Sequence, residues 1–177
     1  MILGIDPSLT GTGVVALEDG KIINQQLIKT KPTKGSLAEL QRLIKIVDSI
    51  EYGEAELAVI EGLAFMSRNT TSLVQLSGLN YMIRHKLYKL NIPFLIVPPT
   101  SLKKFITSKG NAPKECMLMD IFKRYGEEFR DNNLADAFSL AVLGDAVINP
   151  SDKTKVYQQE VLDKLETNVI KENKLER

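Results

Sequence analysis

The sequence predicts an α/β protein with a mixed β-sheet, an antiparallel meander followed by parallel strands, and helices on both faces. Three observations predict this architecture. Short apolar runs separated by turn residues open the chain as consecutive strands. After residue 35, segments with helical periodicity alternate with short apolar segments typical of buried parallel strands. Alternating helices and strands place the helices on both faces of one sheet.

The first 30 residues predict the meander. Residues 1–6 are expected to form a strand, and the turn formers of 7–13 a loop. Residues 14–17 and 21–30 predict two further strands, and the Asp-Gly pair between them is typical of a type I′ hairpin turn.

The remaining core elements alternate between helices and strands. Ser36 is expected to cap the first helix, and Asn132 or Asn133 the last. The predicted helices cover residues 36–49, 71–90, 100–107, 113–125 and 133–147, and the buried strands cover 57–61 and 93–97. The apolar stripe along 71–90 is expected either to enter the core or to join two copies of the chain.

The composition changes after Pro150. Residues 1–148 are expected to form one domain, and 149–177 a charged tail. The tail either stays unordered or forms a short amphipathic helix through four apolar positions, Val161, Leu162, Leu165 and Val169.

Composition also excludes several classes of protein. Cys116 is the only cysteine and His85 the only histidine, so neither an intrachain disulfide nor a Cys/His zinc site is expected. No apolar run approaches the roughly 20 residues of a membrane span, and Asp6 interrupts the first apolar stretch, so no signal peptide is expected. We therefore expect a cytoplasmic protein with no membrane partner.

Three carboxylates occupy positions that favour a metal site. Asp6 and Glu61 each end an apolar run, and they are expected at the carboxyl ends of neighbouring strands, where open α/β sheets bind ligands. Asn133 and Asp136 lie three apart and so share one helix face. An unpaired buried carboxylate costs several kcal/mol, and a hard cation such as Mg²⁺ removes that cost. For each carboxylate taken singly, a helix cap or a solvated loop residue is the better explanation. Together they indicate metal-assisted phosphodiester chemistry.

Four segments of the chain resemble the RuvC family of Holliday junction endonucleases, within the ribonuclease H-like superfamily. Their order and separation match that family across roughly the first 148 residues. The segments are Ile2-Leu3-Gly4-Ile5-Asp6-Pro7, Ala58-Val59-Ile60-Glu61, the stretch from Pro98-Pro99-Thr100-Ser101-Leu102-Lys103 to Gly110-Asn111-Ala112-Pro113-Lys114, and Leu134-Ala135-Asp136-Ala137.

The resemblance implies a ribonuclease H-like fold and two-metal hydrolysis of DNA, with two Mg²⁺ ions roughly 3.5–4 Å apart and Mn²⁺ as a substitute. Asp6, Glu61 and Asp136 would be ligands, with Asn133 beside Asp136. Lys114 would stabilise negative charge on the phosphate. The implied substrates are four-way junctions, with three-way junctions and forks, and the implied assembly is a homodimer, because a junction has two equivalent strands to cut.

Basic and aromatic residues are expected to bind the DNA. Four lysines fall in one stretch with few acids: Lys103, Lys104, Lys109 and Lys114. Arg68 extends this surface, and Phe65 would stack on an unpaired base, a contact of about 1–3 kcal/mol. The alternative for the lysines is a solvated helix face, and for Phe65 a core aromatic.

Two departures indicate a divergent branch of the family, such as those that phages encode. Asn133 stands where the family has an acidic or histidine ligand, and Ala64 where it commonly has a stacking phenylalanine. A neutral amide at 133 would weaken the second metal, so the alternative function is a weakly active or inactive protein that binds branched DNA. A remote alternative is an actin-like phosphotransferase, from the Gly11-Thr12-Gly13 loop, but that leaves Glu61 and the lysine segment unexplained.

Overall fold

The computed structural model describes residues 1–63 and 70–172 and contains five strands and six helices in those ranges. The strands are β1 (Ile2–Asp6), β2 (Gly11–Glu18), β3 (Lys21–Lys29), β4 (Leu57–Glu61) and β5 (Phe94–Val97). The helices are α1 (Ser36–Ser49), α2 (Thr70–Lys89), α3 (Pro99–Thr107), α4 (Lys114–Tyr125), α5 (Asn132–Ile148) and α6 (Val156–Glu172).

The strands form one mixed sheet in the order β3-β2-β1-β4-β5. β1 pairs antiparallel with β2, and β2 with β3, whereas β4 pairs parallel with β1 and with β5. The predicted architecture is therefore confirmed. Asp6 pairs with Gly13, and Ile5 with Ile60, so the carboxyl ends of β1 and β4 meet at one edge of the sheet.

The sheet separates two hydrophobic cores because successive strand residues point to opposite faces. Ile2, Leu57 and Val59 pack with α3, α4, α5 and α6 on one face. Leu3 and Ile60 pack with α1 and α2 on the other. The apolar stripe of α2 enters this second core, where its buried members are Leu79, Ile83 and Leu87.

Several local expectations are corrected. β2 begins at Gly11, three residues before the predicted start, because pairing with β3 continues to Lys29. Gly35 rather than Ser36 is the N-cap of α1. The N-cap of α5 is Asp131 rather than either asparagine, because its Oδ1 accepts a hydrogen bond from the Asn133 N–H at 2.9 Å.

Two further features concern the hairpin and the C-terminal segment. Asp19 (φ 50°) and Gly20 (φ 71°) both have positive φ, which confirms the predicted type I′ turn. α6 is ordered as a helix, and three of its apolar side chains, Val161, Leu162 and Leu165, are buried in the first core. Within the described ranges, no helix is long and apolar enough to cross a membrane.

Candidate active site

The two strand-end carboxylates lie side by side on the face of the sheet that α5 covers. Ile5 and Ile60 point into the opposite core, so the next residue of each strand, Asp6 and Glu61, points towards α5. The two carboxyl groups are close enough for each to affect the pKa of the other. Asp6 is only 5% exposed, whereas Glu61 is half-buried.

Glycines let α5 approach the sheet closely enough to complete the site. A Cβ on Gly4 would lie 2.0 Å from the Ala137 carbonyl oxygen, and one on Gly13 would lie 2.2 Å from that of Asn133. Only a residue without a side chain permits this contact between backbones. It brings Asp136, on the first turns of α5, close enough to raise the pKa values of both strand-end carboxyls.

Burial favours the protonated forms of all three acids, and repulsion between acids adds to this for Asp6 and Glu61. Burial raises the pKa of Asp6 well above its ordinary range, and the charges of Glu61 and Asp136 raise it further. Burial, followed by the charge of Asp136, raises the pKa of Glu61 to about 7. Burial also raises the pKa of Asp136. Protonation within this cluster thus offsets part of its negative charge.

Two lysines supply positive charge from the neighbouring helices. The ammonium group of Lys114 lowers the pKa values of Asp6, Glu61 and Asp136, and that of Lys103 lowers those of Glu61 and Asp136. Lys114 is the first residue of α4, where the helix dipole disfavours a cation. Its place beside the carboxylates, rather than helix stability, accounts for a lysine there.

The other predicted site residues have varied surroundings. Lys104 forms an ion pair with Glu160 on α6, and Lys109 is exposed beyond the end of α3. The side chain of Asn133 lies beside Gly11, since its Nδ2 would be 3.1 Å from a Cβ built there. Phe65 and Arg68 lie outside the described residues.

The sequence does not predict two residues that support the site. Asn80 is 1% exposed, and its Nδ2 donates a 3.0 Å hydrogen bond to the backbone carbonyl of Glu61. Its Oδ1 has no hydrogen-bond partner among the described residues. Buried Arg42 donates to the carbonyl of Leu9 and to Thr30 Oγ1, and so anchors the loop that follows Asp6. Polar residues within apolar helical stripes were the only available signal.

A cleft of about 590 Å³ opens beside the carboxylates. Its lining comes from three places: loop residues 7–10, residues 61–63 after β4, and the α2 side chains Ser72, Leu73, Leu76 and Asn80. Glu61 belongs to this lining, so the cleft reaches one of the two strand-end acids, and Asp136 lines a separate small cavity with Lys114.

The donor set suits a hard cation. Its groups are carboxylates and an amide, all oxygen donors, and burial leaves the acids in need of a positive charge. Among the described residues, no three His, Cys, Asp or Glu side chains are already gathered tightly enough to hold an ion. The fit to a cation such as Mg²⁺ therefore rests on the oxygen chemistry of these donors.

The family model and the most similar curated proteins carry the same description. A family model described as crossover junction endodeoxyribonuclease RuvC matches residues 2–144. The chain is 30% identical over 160 residues to a protein of that description from Synechococcus sp. (strain CC9311), covering 81% of this chain and 96% of the relative. It is 29% identical over 153 residues to one from Carboxydothermus hydrogenoformans, covering 81% and 94%.

Solved structures share the fold. Thermus thermophilus RuvC in complex with a Holliday junction substrate superposes with a TM-score of 0.64 at 23% identity, covering 80% of this chain and 90% of that one. A yeast mitochondrial Holliday junction resolvase gives a TM-score of 0.57 at 14% identity, covering 96% and 83%.

Proposed function

The chain belongs to the RuvC family of crossover junction endodeoxyribonucleases, and we propose that it cleaves Holliday junctions as a metal-dependent, structure-selective endonuclease. One observation carries the chemical part of this proposal: buried Asp6 and the half-buried carboxylates of Glu61 and Asp136 converge beside two lysines at the edge of the sheet. Packing alone gives no reason to gather uncompensated acids there.

We infer that Asp6, Glu61 and Asp136, with the amide oxygen of Asn133, hold the cations. Two Mg²⁺ ions held there would activate the attacking water and stabilise the leaving oxygen, and Mn²⁺ would substitute for them. The protein's own contribution is positional. Asp6 and Glu61 would hold the cations in their deprotonated forms, and α5 holds Asp136 close to both acids. Asn80 fixes the backbone of Glu61 through its carbonyl.

The lysines act on the substrate rather than on the cations. Lys114 binds the scissile phosphate and stabilises the charge that develops on it, since an ammonium is a compact charge suited to phosphate oxygens. Lys103 and Lys109 bind neighbouring phosphates, and Lys104 joins them when its ion pair with Glu160 opens. Phosphate contacts supply sequence-independent, salt-sensitive affinity. Stacking by Phe65 and a contact from Arg68 stay predictions.

The proposed substrate is branched DNA, with four-way junctions first and three-way junctions and forks as further candidates. Two equivalent strands must be cut in a four-way junction, and a twofold homodimer presents two matching sites. We propose that the dimer forms through the exposed face of α2, which presents Tyr81 (64% exposed) and Tyr88 (72% exposed) beside β5. A bacterial cytosol stays the predicted location, and a phage-infected cell is one alternative within it.

The test is cleavage of labelled four-way junction, three-way junction, fork and linear duplex with Mg²⁺ and then Mn²⁺. Paired symmetric nicks in the four-way junction would support the proposal, and cutting of every branched substrate would broaden it. Asp6→Asn should lose cleavage by at least about a thousandfold yet still bind junctions, because a neutral amide removes the shared metal ligand. The exposed Asp152→Asn serves as control and should cut normally. Tight binding without cutting in either metal would favour the junction-binding alternative.

A further inference from the structure

A second basic groove lies outside the catalytic cleft, between the end of β3 and α1. Its volume is about 700 Å³. The lining is polar and basic except for one alanine, and consists of Lys29, Thr30, Lys31, Thr33, Ala38, Gln41, Arg42 and Lys45.

The groove carries a strong local positive charge. Residues 29–45 contain five cations and one acid, so their net charge is 5 − 1 = +4, against +1 for the whole chain. The five are Lys29, Lys31, Lys34, Arg42 and Lys45, and the acid is Glu39. In the part of the chain that the structure describes, the ion pairs involve Met1, Lys86 and Lys104 and none of the groove lysines. Four ammonium groups are exposed here without an acidic partner.

The groove begins at the same edge of the sheet as the carboxylates. Lys29, at the end of β3, pairs with Gly11, and Asp6 pairs with Gly13 of the same strand. β3 and β1 are two strand spacings apart, which is about 10 Å. The lysines of α3 and α4 flank the carboxylates from the opposite end of the sheet, where β4 and β5 lie.

One loop separates the groove from the catalytic cleft. Arg42 and Thr30 line the groove and both donate hydrogen bonds to the carbonyl of Leu9. Leu9 itself lines the cleft that contains Glu61. Arg42 is thus occupied within the protein, whereas the lysines around it are directed to solvent.

The N-terminus of α1 adds to the positive potential beside the lysines. Its N-cap, Gly35, has no side chain to accept hydrogen bonds from the first turn, and no side-chain cap is present. Free N–H groups at the start of a helix attract anions. The 14-residue helix therefore reinforces the lysines of the preceding loop, Lys31 and Lys34.

We propose that this groove binds the phosphate backbone of the DNA substrate on one side of the cut, as a second contact surface for a junction arm. The inference rests on the proposed function, since it names a further surface for the same substrate. A strand with its scissile phosphate at Asp6 and Glu61 would be flanked by lysines on both sides. The groove would contribute affinity without base selectivity, because its donors are ammonium groups suited to phosphates.

The test compares two variants that lose the same charge. Lys29→Gln/Lys31→Gln/Lys45→Gln removes three groove cations, and Lys21→Gln/Lys153→Gln/Lys155→Gln removes three exposed lysines elsewhere. Binding to a four-way junction is measured in EDTA, so that no cutting occurs, over a series of salt concentrations. The groove variant should bind about 10- to 100-fold more weakly near 0.1 M salt, and its slope of log K against log salt should shrink by about 2–3. Circular dichroism confirms that both variants fold.

Methylphosphonate substitution separates the possible outcomes. Neutral linkages placed in the arm next to the cut should weaken binding by the wild-type protein and the control variant but have little effect on the groove variant. Equal junction affinity and equal salt slope for the groove variant and the control variant would contradict DNA binding by the groove. The nuclease proposal would be unaffected. Failure of the wild-type protein to bind any junction would overturn both.

Discussion

The raised pKa of Glu61 makes the stability of the cation-free protein depend on pH. Glu61 has a pKa of about 7 in the folded chain, against an ordinary value of 4.5. Between these values the folded state holds a proton that the unfolded state has released, so the free energy of unfolding falls as pH rises from about 4.5 to about 7. The contribution is fully present below pH 4.5 and lost above pH 7.

Glu61→Gln should therefore stabilise the cation-free protein at high pH. The amide is neutral at every pH, so at pH 8 in EDTA we expect roughly 1–3 kcal/mol more stability than wild type. The difference should shrink towards pH 4.5, as measured by urea denaturation across this range. Glu128→Gln, at an exposed position, controls for the loss of one carboxylate. A difference that is the same at pH 4.5 and pH 8 would contradict protonation of Glu61.

Asn133→Asp should strengthen cation binding at the catalytic site. A carboxylate adds a negative charge and a better oxygen donor than the amide, so half-maximal junction cleavage should need about tenfold less Mg²⁺. The measurement is the cleavage rate against Mg²⁺ concentration. Asn132→Asp adds the same charge one residue earlier on α5. It shows how much of the change comes from the added negative charge rather than from coordination of the cation by residue 133. Unchanged Mg²⁺ dependence in Asn133→Asp would remove residue 133 from the metal site.

The cluster of acids at the sheet edge could be predicted at the residue scale, but the residues that hold it in place could not. Asp6 and Glu61 are visible because a carboxylate at the end of a buried strand conflicts with its surroundings. Asn80 and Arg42 act through backbone carbonyls, those of Glu61 and Leu9, which carry no signal in the sequence. The N-cap of α5 was predicted wrongly because Asp131, Asn132 and Asn133 are all good capping residues, and only the geometry selects among them.

At the scale of elements, the contact between α5 and the sheet determines the geometry of the site. Gly4 contacts the backbone of α5 at Ala137 and Ala141, and Gly144 of α5 lies against Val59 and Ile2. Helix periodicity predicted α5 and its approximate length. The distance between helix and sheet was not predictable, because it depends on which glycines oppose which backbone atoms across the interface.

Gly4→Ala should disrupt this interface. The added Cβ would overlap backbone atoms that cannot move independently, so we expect a loss of about 3 kcal/mol or more and a larger loss of activity than of fold content. Gly78→Ala, inside α2, is the matched control. Its Cβ would make an ordinary 3.5 Å contact with Leu43 of α1, and the change should raise stability by up to about 1 kcal/mol. Denaturant melts of both variants give the comparison. Equal stability would show that α5 can move away from the sheet.

At the scale of the whole molecule, the proposed dimer depends on a face of α2 that the core does not use. The tyrosines of this face, Tyr81 and Tyr88, are seven residues apart and so lie on one side of the helix. Tyr81→Lys/Tyr88→Lys should convert the protein from dimer to monomer, measured by sedimentation at micromolar concentration, because it places charges in an apolar contact. Met119→Lys/Phe122→Lys changes a similarly exposed pair on α4 and should leave the dimer intact. A monomeric wild-type protein would contradict the proposal.

The order of the elements was predictable for most of the chain. For the C-terminal segment, the sequence left open whether it forms a helix at all. Its apolar positions are too few and too widely spaced to require burial by themselves. They are buried because α3 and β5 present apolar surface, including Leu102 and Leu95, that α6 covers. Long-range complementarity of this kind is absent from local periodicity.

Successive side chains of a strand point alternately into the two cores, and this restricts where residues can be inserted or deleted. An insertion or deletion of a single residue within β1 would turn Leu3 and Ile5 to the α5 face and Asp6 to the α2 face. The same holds for β4 and Glu61. Indels in this lineage are therefore expected at the solvent-exposed Asp19-Gly20 turn and in the exposed loop after Pro150. β1 and β4 should keep a fixed number of residues even as the side chains packed around them diverge.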